Sequence, residues 1–295
     1  MKPAPTHLLT RTVRLAVGPH VDGTQPSGNG LVSVGASLGL EAIVEFEVCC
    51  AGAPDASGYL VDIGVIDRAV RGCVAPILVR RLRGLWTLSD AQLLDRAMLA
   101  QATDPAALLV EALAALEAAL PAPVHTLTYR TSPFRSATIE RRRDQNQGAR
   151  MPAVSATTKP VLLSETFEFA ASHRLHIPSL GDDANRALFG KCNNPNGHGH
   201  NYRIEVAVEV ASDAVGGPRF GFAELEQVVG REIMARFDHK HLNLDCPEFR
   251  DLNPSVEHIA RVAHDLLEPA IAQSGALLRF VRVWETEKTN CRYPA

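Results

Sequence analysis

Residues 199–210 read GHNYRIEVAVEV and residues 39–48 read GLEAIVEFEV. We interpret both stretches as strands of similar length that run into a turn. Two further stretches, LLTRTVRLAV from Leu8 and LLSETFEFAA from Leu162, alternate apolar with other residues. That period of two is typical of a strand with one buried face. The pairs of similar strands predict a β-rich unit that the chain contains twice.

The rest of each half supports this repeat. A helical segment is predicted near the middle of each half, over 64–80 and 223–236. Each half closes with a β-rich segment, VHTLTYR at 124–130 and LLRFVRVWE at 277–285. With one further helix in each half, the element order β-β-α-α-β-β occurs twice. The expected fold class is therefore α+β.

Those further helices are predicted from their first turns. Asp104-Pro105 precedes one apolar helical stretch, and Asn253-Pro254 precedes the other. Proline is compatible with the first turn of a helix, because the N–H that it lacks has no partner there. Asp104 and Asn253 are accordingly predicted as the caps of these helices.

Length and composition limit the class of protein. The chain has 295 residues, of which 46% are hydrophobic and 21% are charged, as expected for two globular domains. We expect a first unit over 1–140, a polar linker over 141–160 and a second unit over 161–295. A net charge of −3 gives no argument for a nucleic-acid or membrane-surface partner.

Localisation is predicted from what the sequence lacks. No stretch approaches the roughly 18 consecutive apolar residues of a membrane span. The first residues, MKPAPTHLLTRTVRL, lack the apolar run of a secretion signal. The six cysteines are scattered and form no CxxC pair, which is typical of reduced thiols. We therefore expect a cytoplasmic protein.

The chemistry-bearing residues concentrate in the second half, beginning with three histidines. His198 and His200 are two residues apart, so in a strand their side chains share one face. Gly199 between them adds no bulk, and His173 lies in the neighbouring strand segment. Three imidazoles with one open position describe a catalytic zinc site. The alternative is that His198 and His200 line a polar loop.

Four more residues are candidates for the same site. Cys192 follows Lys191, and a nearby cation and metal would lower the pKa of its thiol; alternatively it is a fourth metal ligand or an inert thiol. Asp238 precedes His239, a pair suited to acid–base chemistry or simply to a helix end at the surface. Glu285 ends the strand VRVWE, where it either accepts paired N–H donors from a heterocycle or faces solvent.

Five motifs of the second half resemble the 6-pyruvoyl-tetrahydropterin synthase family, which includes the bacterial 6-carboxytetrahydropterin synthases. The motifs are ASHRL, FGKCNNPNGHGHNY, FDHKHLN, NPSVEHIA and VWET, within residues 162–293. The resemblance implies the tunnelling (T-) fold, a four-stranded antiparallel sheet with two helices, here two units per chain. It also implies an oligomer, in which three such chains make six units.

The resemblance implies a role for each candidate residue. Three histidines would hold Zn²⁺. The cysteine acts as the base, the Asp–His pair relays protons, and the glutamate anchors the pterin ring of 7,8-dihydroneopterin triphosphate. These residues are His173, His198 and His200 for zinc, Cys192, Asp238 and His239 for catalysis, and Glu285 for substrate.

The implied product is 6-pyruvoyl-tetrahydropterin, formed with elimination of triphosphate. The spacing Cys-x5-HGH favours this product, because the queuosine-pathway enzymes usually have Cys-x3-HGH. The alternatives are the 6-carboxy product, an aldolase-like activity on the same scaffold, or a non-catalytic pterin-binding scaffold. The intact set of candidate residues argues against the scaffold.

The first half is predicted to be a copy that lost this chemistry. Aligned by its strands, Leu38-Gly39-Leu40 takes the place of the HGH motif, and the position of Glu285 falls near Thr131. No Asp–His pair follows the first helix, where the chain reads LRGLWTLSD. The remaining histidines are not expected to form a ligand set; they are His7, His20 and His125.

Overall fold

The computed structural model divides the chain into two compact units. One unit comprises residues 1–163 and 210–221, and the other comprises 164–209 and 222–295. The residues that the structure describes are 7–18, 21–22, 42–83, 104–141, 160–211 and 220–295. Most of the predicted linker, from 142 to 159, lies outside them.

The first unit is built on an antiparallel sheet. Its strand order is β5-β4-β3-β1-β2. The strands are β1 (His7–Gly18), β2 (Val21–Asp22), β3 (Ala42–Gly52), β4 (Val124–Ser132) and β5 (Arg135–Glu140). Val13 of β1, Phe46 of β3 and Leu127 of β4 are buried. In β3, buried and partly exposed residues alternate from Val44 to Val48, so one side of the sheet faces the core there.

The predicted helices of the first unit are confirmed. One continuous helical stretch contains α1 (Ile63–Ala69), a π-helical turn (Val70–Val74) and α2 (Ala75–Arg83), and α3 spans Pro105–Ala119. Asp62 caps α1, since its side chain accepts a hydrogen bond from the Gly64 N–H. Asp104 caps α3 as predicted, accepting hydrogen bonds from two backbone N–H groups.

The second unit has an antiparallel sheet with one short parallel addition. Its strand order is β10-β9-β7-β6, and β8 pairs with β6 in parallel. The strands are β6 (Val161–His173), β7 (His198–Val210), β8 (Lys240–His241), β9 (Leu277–Thr286) and β10 (Thr289–Tyr293). The expected α+β class with an antiparallel sheet is confirmed.

The helices of the second unit are mostly short. They are α4 (Asp182–Phe189), a 3-10 turn (Gly190–Asn193), α5 (Phe222–Val229), a π-helical turn (Gly230–Met234), α6 (Ala235–Phe237), α7 (Leu242–Asp245), a 3-10 turn (Pro247–Phe249) and α8 (Val256–Gln273). No helix within the described residues is long and apolar enough to cross a membrane.

The start of α8 differs from the prediction. Ser255, not Asn253, caps the helix, because the Ser255 side chain accepts a hydrogen bond from the His258 N–H. The Asn253 side chain instead accepts a hydrogen bond from the His176 N–H at 2.9 Å. Asn253 therefore stabilises the loop after β6.

Aromatic side chains pack on the core-facing side of the second sheet. Phe169 of β6 stacks on Tyr202 of β7, with 5.0 Å between ring centroids, and also contacts Phe237 at the end of α6. Phe237 contacts Phe249 in turn. Since side chains alternate along β6 and β7, Phe169 and Tyr202 share their face with the histidines that follow and precede them.

Candidate active site

Three histidines converge where β6 ends and β7 begins. His173 is the last residue of β6, and His198 and His200 are the first and third residues of β7. One ligand atom from each lies within 4.8 Å of the other two. Among the described residues, this is the group of histidine, cysteine and acidic side chains placed to hold a metal ion.

The spacing of these side chains suits a tetrahedral metal ion. The Nε2 atoms of His173 and His198 lie 3.1 Å apart. Ligand nitrogens at about 2.1 Å from a tetrahedral zinc ion lie about 3.4 Å from each other. Nε2 of His200 is buried and has no hydrogen-bond partner among the described residues. A metal ion would satisfy this otherwise costly atom, so the donor set fits zinc.

Two of the histidines, His173 and His200, are held in the neutral state that binds a metal. Nδ1 of His173 donates a hydrogen bond to the Pro254 carbonyl at 2.7 Å, which leaves the lone pair on Nε2. Burial lowers the pKa of His173 to about 4, and the neighbouring histidines contribute to the decrease. Burial also lowers the pKa of His200. Both imidazoles are therefore neutral at pH 7, as metal ligands must be.

The turn before His198 depends on glycine. Gly197 has a φ of 72°, a backbone conformation that residues with a Cβ rarely adopt. A Cβ atom there would lie 2.8 Å from Nε2 of His241 and 2.9 Å from the carbonyl oxygen of His173. Only glycine therefore allows the loop to approach the end of β6 this closely.

Glu285 of β9 places a carboxylate beside the histidines. Its Oε1 atom lies 3.4 Å from Nε2 of His173 and 3.7 Å from Nε2 of His200. The Glu285 side chain is only 20% exposed. The structure thus places Glu285 inside the cluster, which excludes the alternative of an ordinary solvated strand end.

Cys192 lies near Glu285 in the 3-10 turn before β7. Burial and the negative charge of Glu285 both raise the pKa of its thiol. The expectation that Lys191 and a metal ion together lower this pKa stays a prediction; in this structure Lys191 is exposed and the thiol is half-buried. Cys192 does not belong to the group of three potential metal ligands.

Asp238 and His239 form a pair directly after α6. Oδ1 of Asp238 lies 3.0 Å from Nδ1 of His239 and accepts a hydrogen bond from the Ala170 N–H at 2.9 Å. The Ala170 N–H and His239 lower the pKa of Asp238. His239 has a φ of 56° and an 82% exposed side chain. A fixed carboxylate thus contacts Nδ1 of an accessible imidazole.

Sequence reasoning missed several polar groups that hold this site together. The Asn243 side chain bonds to the backbone of Arg174, and the Asn193 side chain donates to the Leu175 carbonyl at 2.7 Å. The sequence predicts Pro254 only in the first turn of a helix, whereas its carbonyl also accepts the hydrogen bond from His173. The signal was present in the motifs DHKHLN, KCNN and NPS, whose asparagines suit backbone hydrogen bonding in loops.

The first unit has no such cluster among its described residues. Ala42 begins β3 and Thr131 is exposed near the end of β4. His125 lies 3.8 Å from the Glu140 carboxylate, and His7 is exposed at the start of β1. His20, the predicted motif replacement Leu38-Gly39-Leu40 and most of LRGLWTLSD lie outside the described residues.

Comparison with known proteins places the second half in a family. Residues 162–295 match the family model described as 6-pyruvoyl tetrahydropterin synthase. The human 6-pyruvoyl tetrahydrobiopterin synthase is 41% identical over 131 residues, which cover 44% of this chain and 89% of the human protein. The Drosophila melanogaster protein of the same name is 38% identical over 125 residues, covering 42% and 74%.

One solved structure is also similar. It is the Caenorhabditis elegans 6-pyruvoyl tetrahydropterin synthase, 31% identical, with a TM-score of 0.43. The match covers 46% of this chain and 96% of that one. From the identities and coverage of the curated relatives, this chain belongs to the 6-pyruvoyl tetrahydropterin synthase family.

Proposed function

We propose that the second half converts 7,8-dihydroneopterin triphosphate to 6-pyruvoyl-tetrahydropterin with elimination of triphosphate. His173, His198 and His200 would hold Zn²⁺. The observation that carries this proposal is the convergence of three imidazoles with the Glu285 carboxylate, which lies 3.4 Å from His173. Membership of the 6-pyruvoyl tetrahydropterin synthase family supports it.

The metal and Glu285 have separate roles in this proposal. Bound zinc supplies Lewis-acid polarisation of the side-chain oxygens of the substrate. Glu285 accepts paired N–H donors from the pterin ring and so orients the reacting carbon. Its partly buried carboxylate makes this recognition stronger than it would be in water.

Cys192 is proposed as the base that takes a proton from the side-chain carbon next to the ring. Glu285 and burial disfavour its thiolate in the free protein. When N–H groups of the bound ring donate hydrogen bonds to the Glu285 carboxylate, its negative charge raises the pKa of the Cys192 thiol less. Substrate binding would therefore activate Cys192 only when the ring is in place.

Asp238 and His239 are proposed to move protons to and from the side-chain oxygens of the substrate. Asp238 is fixed by the Ala170 N–H and binds Nδ1 of His239, which leaves Nε2 as the exchanging atom. An imidazole suits this task because its ordinary pKa lies near neutrality. Elimination of triphosphate and an internal redox tautomerisation then give the product.

We infer a wider organisation from the same data. The first unit, expected over 1–140, would be a T-fold copy without metal ligands, joined by the linker 141–160 to a catalytic unit over 161–295. The matched strand patterns of the two units support this duplication. We further propose a cytoplasmic homo-oligomer, since a T-fold unit leaves sheet edges that closure into a barrel would pair.

Product analysis tests the proposed reaction. The zinc-loaded protein is incubated with 7,8-dihydroneopterin triphosphate, and the products are identified by mass spectrometry. Cys192→Ala is compared with Cys291→Ala, because Cys291 is a half-buried thiol of the same unit outside the metal group. We expect a pyruvoyl product and free triphosphate that disappear only in Cys192→Ala.

Two other results have different meanings. A carboxy product with acetaldehyde would assign the 6-carboxytetrahydropterin synthase activity to the same residues. Unchanged substrate in the presence of protein shown to contain zinc would contradict both assignments and favour a pterin-binding scaffold.

A further inference from the structure

The end of β6 that carries His173 is paired with a short segment after α6. The His239 N–H donates a hydrogen bond to the Ala170 carbonyl at 2.6 Å. In β8, Lys240 and His241 pair in parallel with Ala171 and Ser172. This backbone pairing stops at Ser172, one residue before the metal ligand.

The Asn243 side chain continues the pairing past His173. Its Oδ1 accepts a hydrogen bond from the Arg174 N–H at 2.8 Å, and its Nδ2 donates one to the Arg174 carbonyl at 3.0 Å. One amide group thus satisfies both backbone groups of Arg174, as a neighbouring strand would. The backbone of His173 is therefore held on both sides, by β8 before it and by Asn243 after it.

The side chain of His173 has little freedom to compensate for a moved backbone. It is fully buried, and its Nδ1 is fixed on the Pro254 carbonyl at 2.7 Å. The backbone therefore determines where Nε2 lies relative to His198 and His200. A small displacement of Arg174 would open the ligand group, whose atoms now lie within 4.8 Å of one another.

We propose that Asn243 is a positioning residue for the metal site: its amide fixes the backbone at Arg174 and thereby places Nε2 of His173 for zinc. This inference rests on the proposed zinc-dependent function. Asn243 does not ligate the metal and acts only through β6. Outer partners of metal-ligating histidines typically contribute 10- to 100-fold in metal affinity, so the loss of Asn243 should have an effect of about that size.

The second unit contains a matched control for this amide. Asn185 of α4 is fully buried, and its side chain accepts a hydrogen bond from the Ile177 N–H and donates one to the Ile177 carbonyl. It therefore holds both backbone groups of one residue, as Asn243 does, but in a loop that does not carry a histidine of the metal group. Asn185→Ala removes the same kind of contact at Ile177, four residues after His173, together with hydrogen bonds to the Leu180 and Gly181 carbonyls.

Zinc affinity is the measurement that distinguishes a residue that positions the metal site from one that only stabilises the fold. The dissociation constant is determined by competition with a chromogenic chelator for the full-length wild type, Asn243→Ala, Asn243→Asp and Asn185→Ala, with Tm recorded for each. We expect about 10- to 100-fold weaker binding for Asn243→Ala. Asn243→Asp keeps the acceptor but loses the donor, so a smaller weakening is expected. Asn185→Ala should lower Tm and leave zinc affinity unchanged.

Several results would overturn the inference. Wild-type zinc affinity in Asn243→Ala would show that the amide only stabilises the fold, and equal weakening in Asn185→Ala would show a general effect of instability. If Asn243→Ala does not fold, wild-type zinc affinity in Asn243→Asp overturns it, because that variant has lost the hydrogen bond to the Arg174 carbonyl. A wild type that binds no zinc would instead contradict the proposed function.

Discussion

Strand β3 of the first unit and strand β7 of the second are built to the same pattern. The burial of eight successive residues agrees between 44–51 and 202–209. Each strand also has an irregularity in its pairing at the same step, between Cys49 and Cys50 in one and between Ala207 and Val208 in the other. The two sheets thus share a framework although few of their residues are identical.

This shared irregularity aligns the units residue by residue. It places Ala42 at the position of His200, whereas the alignment by sequence placed Leu40 there. Thr126 of β4 pairs with Cys49, and Phe280 of β9 pairs with Ala207, in each case just before the irregularity. Five residues further along, β4 has Thr131 and β9 has Glu285, so these two residues occupy equivalent positions. At these strand ends the first unit therefore has Ala42 and Thr131 in place of His200 and Glu285, so the same framework forms without these two site residues.

The helices show a second difference. Both units contain a π-helical turn, Val70–Val74 in the first and Gly230–Met234 in the second. Four residues after the end of this turn, the second unit has Asp238, where the helix has ended. At the same step the first unit has Leu78, which is buried within α2. The Asp–His pair of the second unit thus lies where its helix has already ended.

The largest expected effect comes from making the second unit resemble the first at a metal ligand. His200→Ala introduces the residue that the first unit has at this position, Ala42. We expect zinc binding to weaken and the zinc content to fall below that of the wild type, because one of the three imidazole ligands is lost. Zinc content is measured by atomic emission after dialysis.

The reverse substitution is its control. Ala42→His adds one imidazole to a unit whose described residues offer no ligand group around it. Zinc content should remain that of the wild type. A second zinc ion in Ala42→His would show that the first unit retains the other ligands of a metal site.

A matched pair of core substitutions compares the two frameworks. Phe46 and Ile204 occupy the same step of β3 and β7, and both are fully buried. Phe46→Ala should lower the free energy of unfolding by about 3–5 kcal/mol and Ile204→Ala by about 2–5 kcal/mol, because each leaves a cavity. Urea unfolding measures both. A cost below about 1 kcal/mol for Phe46→Ala would contradict a packed first unit.

Local patterns in the sequence were sufficient for much of the fold. Alternating residues predicted β1 and β6, and Asp104-Pro105 predicted the start and cap of α3. The closeness of His198 and His200 also followed from their spacing in a strand. These features depend on neighbours in sequence, so periodicity and residue type are enough to predict them.

Features that depend on distant contacts were not predicted. Asn253 precedes a helix, yet the His176 N–H recruits its side chain, and Ser255 caps the helix instead. The raised pKa of Cys192 comes from burial and from Glu285, which is far away in sequence. The two-residue error in aligning β3 with β7 arose because both alternate with a period of two, so a shift by two residues preserves the pattern.

A third comparison concerns the charge at Glu285. Glu285→Thr introduces the residue of the first unit, and Glu285→Gln removes the charge with little change in shape. Because a negative charge raises the pKa of Cys192, both substitutions should lower that pKa. In zinc-free protein, alkylation of Cys192 by iodoacetamide should then reach its maximal rate at a lower pH than in the wild type.

Cys291 is the internal control for that measurement. Burial and Glu257, not Glu285, raise the pKa of its thiol. Peptide-resolved mass spectrometry follows both cysteines in one sample. A shift in Glu285→Thr but not in Glu285→Gln would mean that solvent access rather than charge controls Cys192.

The smallest expected effect concerns the start of the first helix in each unit. Asp62 caps α1 by accepting a hydrogen bond from the Gly64 N–H at 2.8 Å, whereas α5 follows Gly221, which has no side chain to accept one. Asp62→Gly therefore copies the second unit. A glycine cap costs only a few tenths of a kcal/mol relative to aspartate, while Asp62→Ala should cost about 1 kcal/mol. Urea unfolding of the two variants measures the difference. Equal costs would mean that Asp62 stabilises the first unit through its charge or packing, and the second unit would then have lost more than a cap by having Gly221.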